Sequence, residues 1–139
     1  MNKALCLLLS LASLALPLST HAAVVLVGHP GIGGTITTAQ ASDLYLGKSN
    51  KLPNGNMAAV YELENGNPLR VEFHNKVTGK SEAQLQSYWS RLVFTGKANP
   101  PPQLANPALL KSTIASTPNA IGYLDEADVD ASVIVLLKP

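Results

Sequence analysis

Short apolar runs along the chain predict strands. Residues 23–27 read AVVLV without a polar position, which is typical of a strand buried on both faces. Residues 121–124 and 132–137 are predicted to form two closing strands, and the partly alternating segment 57–63 a further one. A strand buried on both faces needs a covering layer on each side, so we expect helices on both faces of the sheet.

Helix start signals separate these runs. Ser, Thr and Asn side chains at a cap accept hydrogen bonds from free backbone N–H groups, and proline is favoured at the first helical position. Thr37 and Gln40 have the spacing of a capping box, and Asn-Pro pairs stand at 67–68 and 106–107. Helices are therefore predicted over 39–46, from 67, from 81 and over 106–116.

The helix that follows Ser81 carries the clearest pattern. Its apolar positions have the i, i+3, i+4, i+7, i+8 spacing that places side chains on one face. They are Leu85, Tyr88, Trp89, Leu92 and Val93. We expect this face to pack on the core, with Trp89 as a core residue. The whole order of elements predicts a three-layer α/β domain over 23–139, with a mixed sheet flanked by helices.

The first 22 residues have the layout of a secretory signal peptide. Lys3 precedes a largely apolar run over 4–16, and small residues Thr20 and Ala22 follow at cleavage distance. A membrane span needs on the order of 20 apolar residues, so this run is too short to be a retained anchor. We expect cleavage before Ala23, a periplasmic mature chain, and no insertion into the membrane after cleavage.

Charge and cysteine usage exclude several classes of function. The chain has ten Lys and Arg residues against nine Asp and Glu, and removal of Lys3 would balance them. Because no basic face is indicated, nucleic acid and anionic membranes are not expected partners. The single cysteine, Cys6, would leave with the signal peptide, so disulfides, thiolate metal sites and cysteine nucleophiles are not expected.

No motif indicates catalysis, a metal or a cofactor. His29 and His74 lack a metal-binding spacing, and the acidic run at 125–130 lacks the frame of a calcium loop. The glycines of 28–34 lack the spacing of a nucleotide-binding loop. Glu62 and Glu64 share one face at the end of a strand, where we expect a solvated edge. The chain is therefore expected not to be an enzyme.

One helix start draws attention as an anion site. Free N–H groups and the helix dipole favour negative charge at any helix N-terminus. The start at Asn67 has Arg70 one turn further along and follows an exposed turn at Gly66. Asn67 and Arg70 are therefore the candidate ligand-binding residues, and the expected binding is weak.

Several motifs in order resemble the substrate-binding proteins of phosphate ABC transporters. The segment TTAQASDLYLGK at 37–48 is similar to a Thr-x-x-x-Leu-x-x-Ile-Phe-x-Gly-Lys helix of that family. The other motifs are LPNG at 52–55, Arg70 with Phe73, YW at 88–89, FTGK at 94–97, PP at 100–101 and PNAIGY at 118–123. The resemblance covers nearly all of 23–139 and implies a single lobe of a type II periplasmic-binding-protein-like fold.

In the family that this resemblance implies, two lobes close on phosphate, and the matching region is the second lobe. The Ser-Gly-Thr triplet of the family falls on Asn67-Pro68-Leu69, which has no hydroxyl donor and lacks the N–H of residue 68. The family usually has an arginine a few residues before this triplet. In this chain Glu62 lies in that region instead, and its negative charge would oppose an anion. The resemblance therefore implies phosphate binding that is weak or absent.

The function that we expect follows from this resemblance and these departures. The leading hypothesis is a half-sized, non-enzymatic periplasmic protein, accessory to phosphate or oxyanion transport or sensing. Its partners would be phosphate or another oxyanion, bound weakly, and an envelope protein or a second copy of the chain. The alternative is an envelope interaction module that binds no ligand. An enzyme whose site is assembled in a dimer is a third, weaker hypothesis.

Overall fold

The computed structural model describes residues 23–139. The strands are β1 (Val24–Gly28), β2 (Ala59–Val60), β3 (Glu62–Leu63), β4 (Gln103–Leu104), β5 (Ala120–Asp125) and β6 (Ile134–Leu137). The helices are α1 (Thr38–Tyr45), α2 (Pro68–Val77), α3 (Glu82–Phe94) and α4 (Pro107–Ser116). The expected signal peptide lies outside the described residues, so its cleavage stays a prediction.

The main sheet has four strands in the order β2-β5-β1-β6. Strand β1 runs antiparallel to β5 and β6, whereas β2 runs parallel to β5. All five residues of β1 are buried, as its uninterrupted apolar sequence predicts. The prediction of a mixed sheet is therefore confirmed.

Helices cover both faces of this sheet. Neighbouring residues of a strand point to opposite faces, and Gly122 and Tyr123 of β5 show what lies on each. A Cβ atom at Gly122 would lie 2.6 Å from Cδ1 of Ile114, so α4 packs directly on that face. On the other face Tyr123 stacks on Phe73 of α2. The three-layer arrangement predicted from the sequence is thus confirmed.

Each helix begins at the cap that the sequence indicates. Thr37 and Ser81 form complete capping boxes with the side chains of Gln40 and Gln84. The Asn67 and Asn106 side chains accept from backbone N–H groups at the starts of α2 and α4, where proline occupies the first turn.

An aromatic cluster connects α1, α2 and β5 in the core. The Phe73 ring centroid lies 4.7 Å from that of Tyr45 and 4.4 Å from that of Tyr123. Burial raises the pKa of both tyrosines, and the negative charge of Glu62 contributes to each shift. The Tyr123 hydroxyl accepts a hydrogen bond from the Leu63 backbone N–H at 3.0 Å, which ties β3 to the main sheet.

The segment 57–63 is not one strand, which corrects the prediction. It divides into β2, in the main sheet, and β3, which pairs in parallel with β4 to form a second sheet. The division follows from hydrogen bonding: the Tyr61 N–H donates to Ile121 of the main sheet, whereas the Glu62 N–H donates to Pro102. Strand β4 has two residues, and the proline-rich sequence before it gives no strand signal.

The buried part of the apolar face of α3 ends one turn earlier than predicted. Leu85 and Trp89 are buried, whereas Val93 is 48% exposed and the adjacent Phe94 is 93% exposed. The prediction that Val93 packs on the core is therefore wrong, because the last turn of α3 borders an open cavity instead. Within residues 23–139, no helix is long and apolar enough to cross a membrane.

Candidate functional site: a buried ion-pair cluster and an adjoining cavity

The candidate site is built where β3 turns into α2. The chain leaves β3 through a turn at Glu64-Asn65-Gly66, in which Gly66 has a φ of +82°, a backbone conformation that glycine adopts without strain. The half-buried Asn67 then caps α2, and its side-chain oxygen accepts from the Leu69 N–H at 3.0 Å. Because residue 68 is proline, this helix start offers fewer free N–H groups than an ordinary one.

Arg70 points from the first turn of α2 into the protein and is 3% exposed. Its Nη1 atom lies 2.7 Å from Glu62 Oε2 and 3.3 Å from the Leu63 carbonyl oxygen. Its Nε atom lies 3.0 Å from Glu82 Oε1, at the start of α3. Two carboxylates from two different elements therefore hold one buried guanidinium.

Arg70 stays charged in this environment. Burial alone would lower its pKa, but the charges of Glu62 and Glu82 outweigh that effect, and the pKa of Arg70 is raised. A buried cation that is matched by carboxylates attracts an external anion much less than a free cation does. The positive charge at this helix start is therefore already neutralised from within the chain.

His74 completes the cluster from the next turn of α2. Its Nε2 atom contacts Glu62 Oε1, and its Nδ1 atom lies 3.0 Å from Thr78 Oγ1. The Thr78 hydroxyl also donates to the His74 carbonyl oxygen at 3.0 Å. We call Glu62, Arg70, His74 and Glu82 the Glu62 cluster.

The position of Glu62 corrects the sequence prediction. We expected a solvated edge, but Glu62 is 1% exposed and both of its carboxylate oxygens are engaged. A signal was present in the sequence, since Arg70 and His74 share the i, i+3, i+4, i+7 stripe of Phe73 and Val77. A buried guanidinium requires a carboxylate partner, and Glu62 is one of the two that Arg70 has.

A cavity of about 500 Å³ adjoins the cluster. We call it the Trp89 cavity; its walls are formed by Asn65, Arg70, Glu82, Leu85, Gln86, Trp89, Ser90, Val93, Phe94, Pro100 and Gln103. Trp89 is 7% exposed, and its Nε1 atom is buried without a hydrogen-bond partner among the described residues. Sequence reasoning placed Trp89 in the core but gave no sign of a cavity beside it.

Other candidate residues stay apart from this site. Among residues 23–139, no group of three or more His, Cys, Asp or Glu side chains is placed to hold a metal ion. In the acidic run, hydrogen bonds from Ser132 and then from Lys111 lower the pKa of Asp130 to about 2. The Asp125 side chain accepts from the Ala127 N–H, so the start of this run caps a short turn.

Comparison with known proteins identifies the fold through solved structures alone. No protein-family model matches the sequence, and no curated protein sequence is significantly similar to it. The solved structures that match include substrate receptors of phosphate ABC transporters. The fold is therefore that of this class of binding protein, and the resemblance and fold class predicted from the sequence are confirmed.

Three of these structures show how far the likeness extends. An ABC-type phosphate transport receptor from Vibrio cholerae matches 82% of this chain and 45% of its own, with a TM-score of 0.64 and 16% identity. A protein from Clostridium perfringens, described as a phosphate ABC transporter substrate-binding protein with bound phosphate, matches 82% and 44%, with a TM-score of 0.60 and 26% identity. PstS from Borrelia burgdorferi matches 82% and 46%, with a TM-score of 0.61 and 13% identity.

The chain thus spans a little under half the length of the structures that it matches. Relative to the two-lobed family that the sequence resembles, residues 23–139 correspond to one lobe. The ligand-binding role assigned to Asn67 and Arg70 stays a prediction, and the structure shows that both side chains already have partners within the chain.

Proposed function

We propose that the chain is a non-enzymatic, single-lobe binding protein of the periplasm, accessory to oxyanion transport or sensing. The fold shared with phosphate receptors supports this class, and one of those receptors is described with bound phosphate. The predicted signal peptide supports the compartment. The lobe would contribute to oxyanion handling together with a second lobe, supplied by an envelope partner or by a second copy.

The pairing of Arg70 with two carboxylates supports the proposal that this lobe, by itself, does not bind phosphate tightly. Arg70 is the only cationic side chain in the first turn of α2, and it is buried between Glu62 and Glu82. Tight oxyanion binding requires preorganised donors that are free to face the anion, because each unmatched buried charge is costly. Asn67 caps its own helix, and Pro68 has no N–H to offer.

An envelope interaction module that binds no ligand is the second candidate. The exposed side chains of Val93 and Phe94 favour it, since large apolar side chains that lie together at a surface often mark contacts with other proteins. In this alternative the receptor fold would be retained as a scaffold, and the neutralised Arg70 would serve stability only.

A thermal-shift screen separates the two candidates. The mature protein is heated with phosphate, sulfate and molybdate, at a low concentration and at one high enough for dimers to form. Stabilisation by an oxyanion that appears only at high protein concentration supports the accessory role with a second copy as the second lobe. No stabilisation at either concentration, together with capture of an envelope protein by the chain, favours the interaction module.

A further inference from the structure

The basic residues that lack a carboxylate partner fall in two segments of the chain, 48–51 and 80–97. Of the ten Lys and Arg residues, Lys3 lies outside residues 23–139, which leaves nine. Four of these nine form ion pairs. The other five have no carboxylate within 4.0 Å in this part of the chain; they are Lys48, Lys51, Lys80, Arg91 and Lys97. Their positive charge is therefore not neutralised by the described residues.

The fold brings these two segments together where the end of α1 meets α3. The Tyr88 hydroxyl donates to the Leu46 carbonyl oxygen at 2.6 Å. Beside this bond, a Cβ atom at Gly47 would lie 3.6 Å from the Cβ atom of Ala98. The residue after Gly47 and the residue before Ala98 are two of the five basic residues. Neither segment is a basic block by itself, so this surface is not visible in the sequence.

Lys80 and Arg91 line a groove of about 350 Å³ on the surface of α3. We call it the Tyr88 groove; its other walls are formed by Ala83, Gln84, Ser87 and Tyr88. The Lys80 ammonium lies 5.2 Å from the centre of the Tyr88 ring, which is itself held by the hydrogen bond to Leu46. No Asp or Glu of residues 23–139 lines the groove, so it keeps the positive charge that Arg70 loses to its carboxylate partners.

The spread of the charges favours an extended anionic segment over a single ion. At a rise of about 1.5 Å per residue, Arg91 lies on the order of 15 Å further along the axis of α3 than Lys80. A single oxyanion would need both side chains to converge on it, whereas about five or six residues of extended peptide span this distance. The exposed apolar side chains Val93 and Phe94 line the Trp89 cavity and not this groove, so the groove lacks the apolar residues that insert into a membrane.

We propose that the Tyr88 groove and the adjoining end of α1 bind an extended acidic segment of an envelope protein. Carboxylates of this segment pair with Lys80 and Arg91, and carboxylates beyond the groove pair with Lys48 and Lys97. The inference rests on the envelope partner of the proposed function and names its chemistry. It does not depend on oxyanion binding, because none of these residues belongs to the Glu62 cluster.

Two labelled peptides of equal length test this proposal. Hexaglutamate carries a row of carboxylates, and hexaglutamine has the same length and label without them. Fluorescence anisotropy of each fluorescein-labelled peptide is followed as the mature protein is added, at about 0.15 M salt, where screening between distant exposed charges is already strong. We expect saturable binding of hexaglutamate, with a dissociation constant lower by about tenfold or more than that of hexaglutamine.

Two double variants with the same change of net charge locate the binding surface. Lys80→Gln with Arg91→Gln removes both charges of the groove and should weaken hexaglutamate binding by about fivefold or more. Lys76→Gln with Lys138→Gln removes two exposed charges that have carboxylate partners elsewhere on the surface, and should weaken binding by less than about twofold. Circular dichroism checks that both variants fold.

Vesicles of phosphatidylglycerol test the other source of anionic charge, a lipid surface. We expect the protein to stay in the supernatant when the vesicles are sedimented at the same salt concentration. The proposal is overturned if hexaglutamate binds no more tightly than hexaglutamine, or if the two double variants bind it equally. Sedimentation with the vesicles that is lost in the Lys80 and Arg91 variant would also overturn it, by assigning the surface to a membrane. Oxyanion stabilisation in the thermal-shift screen depends on none of these outcomes, so the two proposals can fail separately.

Discussion

At the scale of single residues, Glu62 decides the character of the candidate site. Its two oxygens engage Arg70 and His74, which lie one turn apart on α2. A buried ion pair adds little to stability compared with apolar residues of the same shape, because desolvation offsets the attraction. Removing Glu62 is different, since it leaves the buried guanidinium of Arg70 with the partly exposed Glu82 as its remaining carboxylate partner.

Glu62→Gln should therefore lower the free energy of unfolding by about 3 kcal/mol or more, the cost of breaking a buried ion pair from one side. Urea denaturation of the two proteins measures the difference. Glu64→Gln is the matched control, because Glu64 is exposed two residues away and its change should stay within about 0.5 kcal/mol. Equal and small effects of the two substitutions would mean that Glu62 is not buried against Arg70 in solution.

At the scale of elements, one face of α3 is buried at Trp89 and half exposed a single turn later. Trp89 is buried beside Gly47, where a Cβ atom would lie 3.0 Å from Cη2 of the indole ring. The φ of Gly47 is +69°, so glycine is needed there both for the backbone and for the space. Val93, one turn later, is about half exposed.

Trp89→Ala should lower the free energy of unfolding by about 3–5 kcal/mol, which is the range for removing a large buried aromatic side chain. Val93→Ala should cost under about 1 kcal/mol, since its side chain is largely outside the core. Denaturant melts of the two variants check both values. A small loss at Trp89 would show that the indole ring packs loosely on the core.

Much of the fold could be predicted at this scale, because local signals determine it. The caps at Thr37 and Ser81 and the run 23–27 specify helix starts and a buried strand without reference to distant residues. The Glu62 cluster could not be predicted in the same way, since it joins residues of three elements. The division of 57–63 between two sheets also depends on partners distant in sequence, Ile121 and Pro102.

At the scale of the whole molecule, the core ties both sheets together through two buried tyrosines, Tyr45 and Tyr123. Tyr123 links β5 to β3, and the Tyr45 hydroxyl donates to the Tyr61 carbonyl oxygen at 3.1 Å. Burial, and next the charges around them, raise the pKa of Tyr45 and Tyr123 above the ordinary value of 10.0. Both sheets therefore depend on groups that titrate only in strongly alkaline solution.

Stability should fall in alkaline solution for this reason. The unfolded chain releases tyrosine protons near pH 10, whereas the folded chain retains them. The contribution of these groups is therefore complete below about pH 10 and is lost as the pH rises above it. Thermal melts between pH 8 and 11.5 should show a constant melting temperature followed by a decline, and Tyr45→Phe should make that decline shallower. A decline that is equally steep in the variant would contradict the assignment to Tyr45.

The most direct test of this account is isothermal titration of the mature protein with phosphate. Because Glu62 and Glu82 neutralise Arg70 from within the chain, the dissociation constant should be no lower than about 1 mM, equivalent to roughly −4 kcal/mol. Sulfate and molybdate should behave alike, since the guanidinium at the start of α2 is held between Glu62 and Glu82 for either anion. Binding of phosphate by the single lobe in the micromolar range would contradict the account, because it would require donors that the Glu62 cluster leaves unavailable.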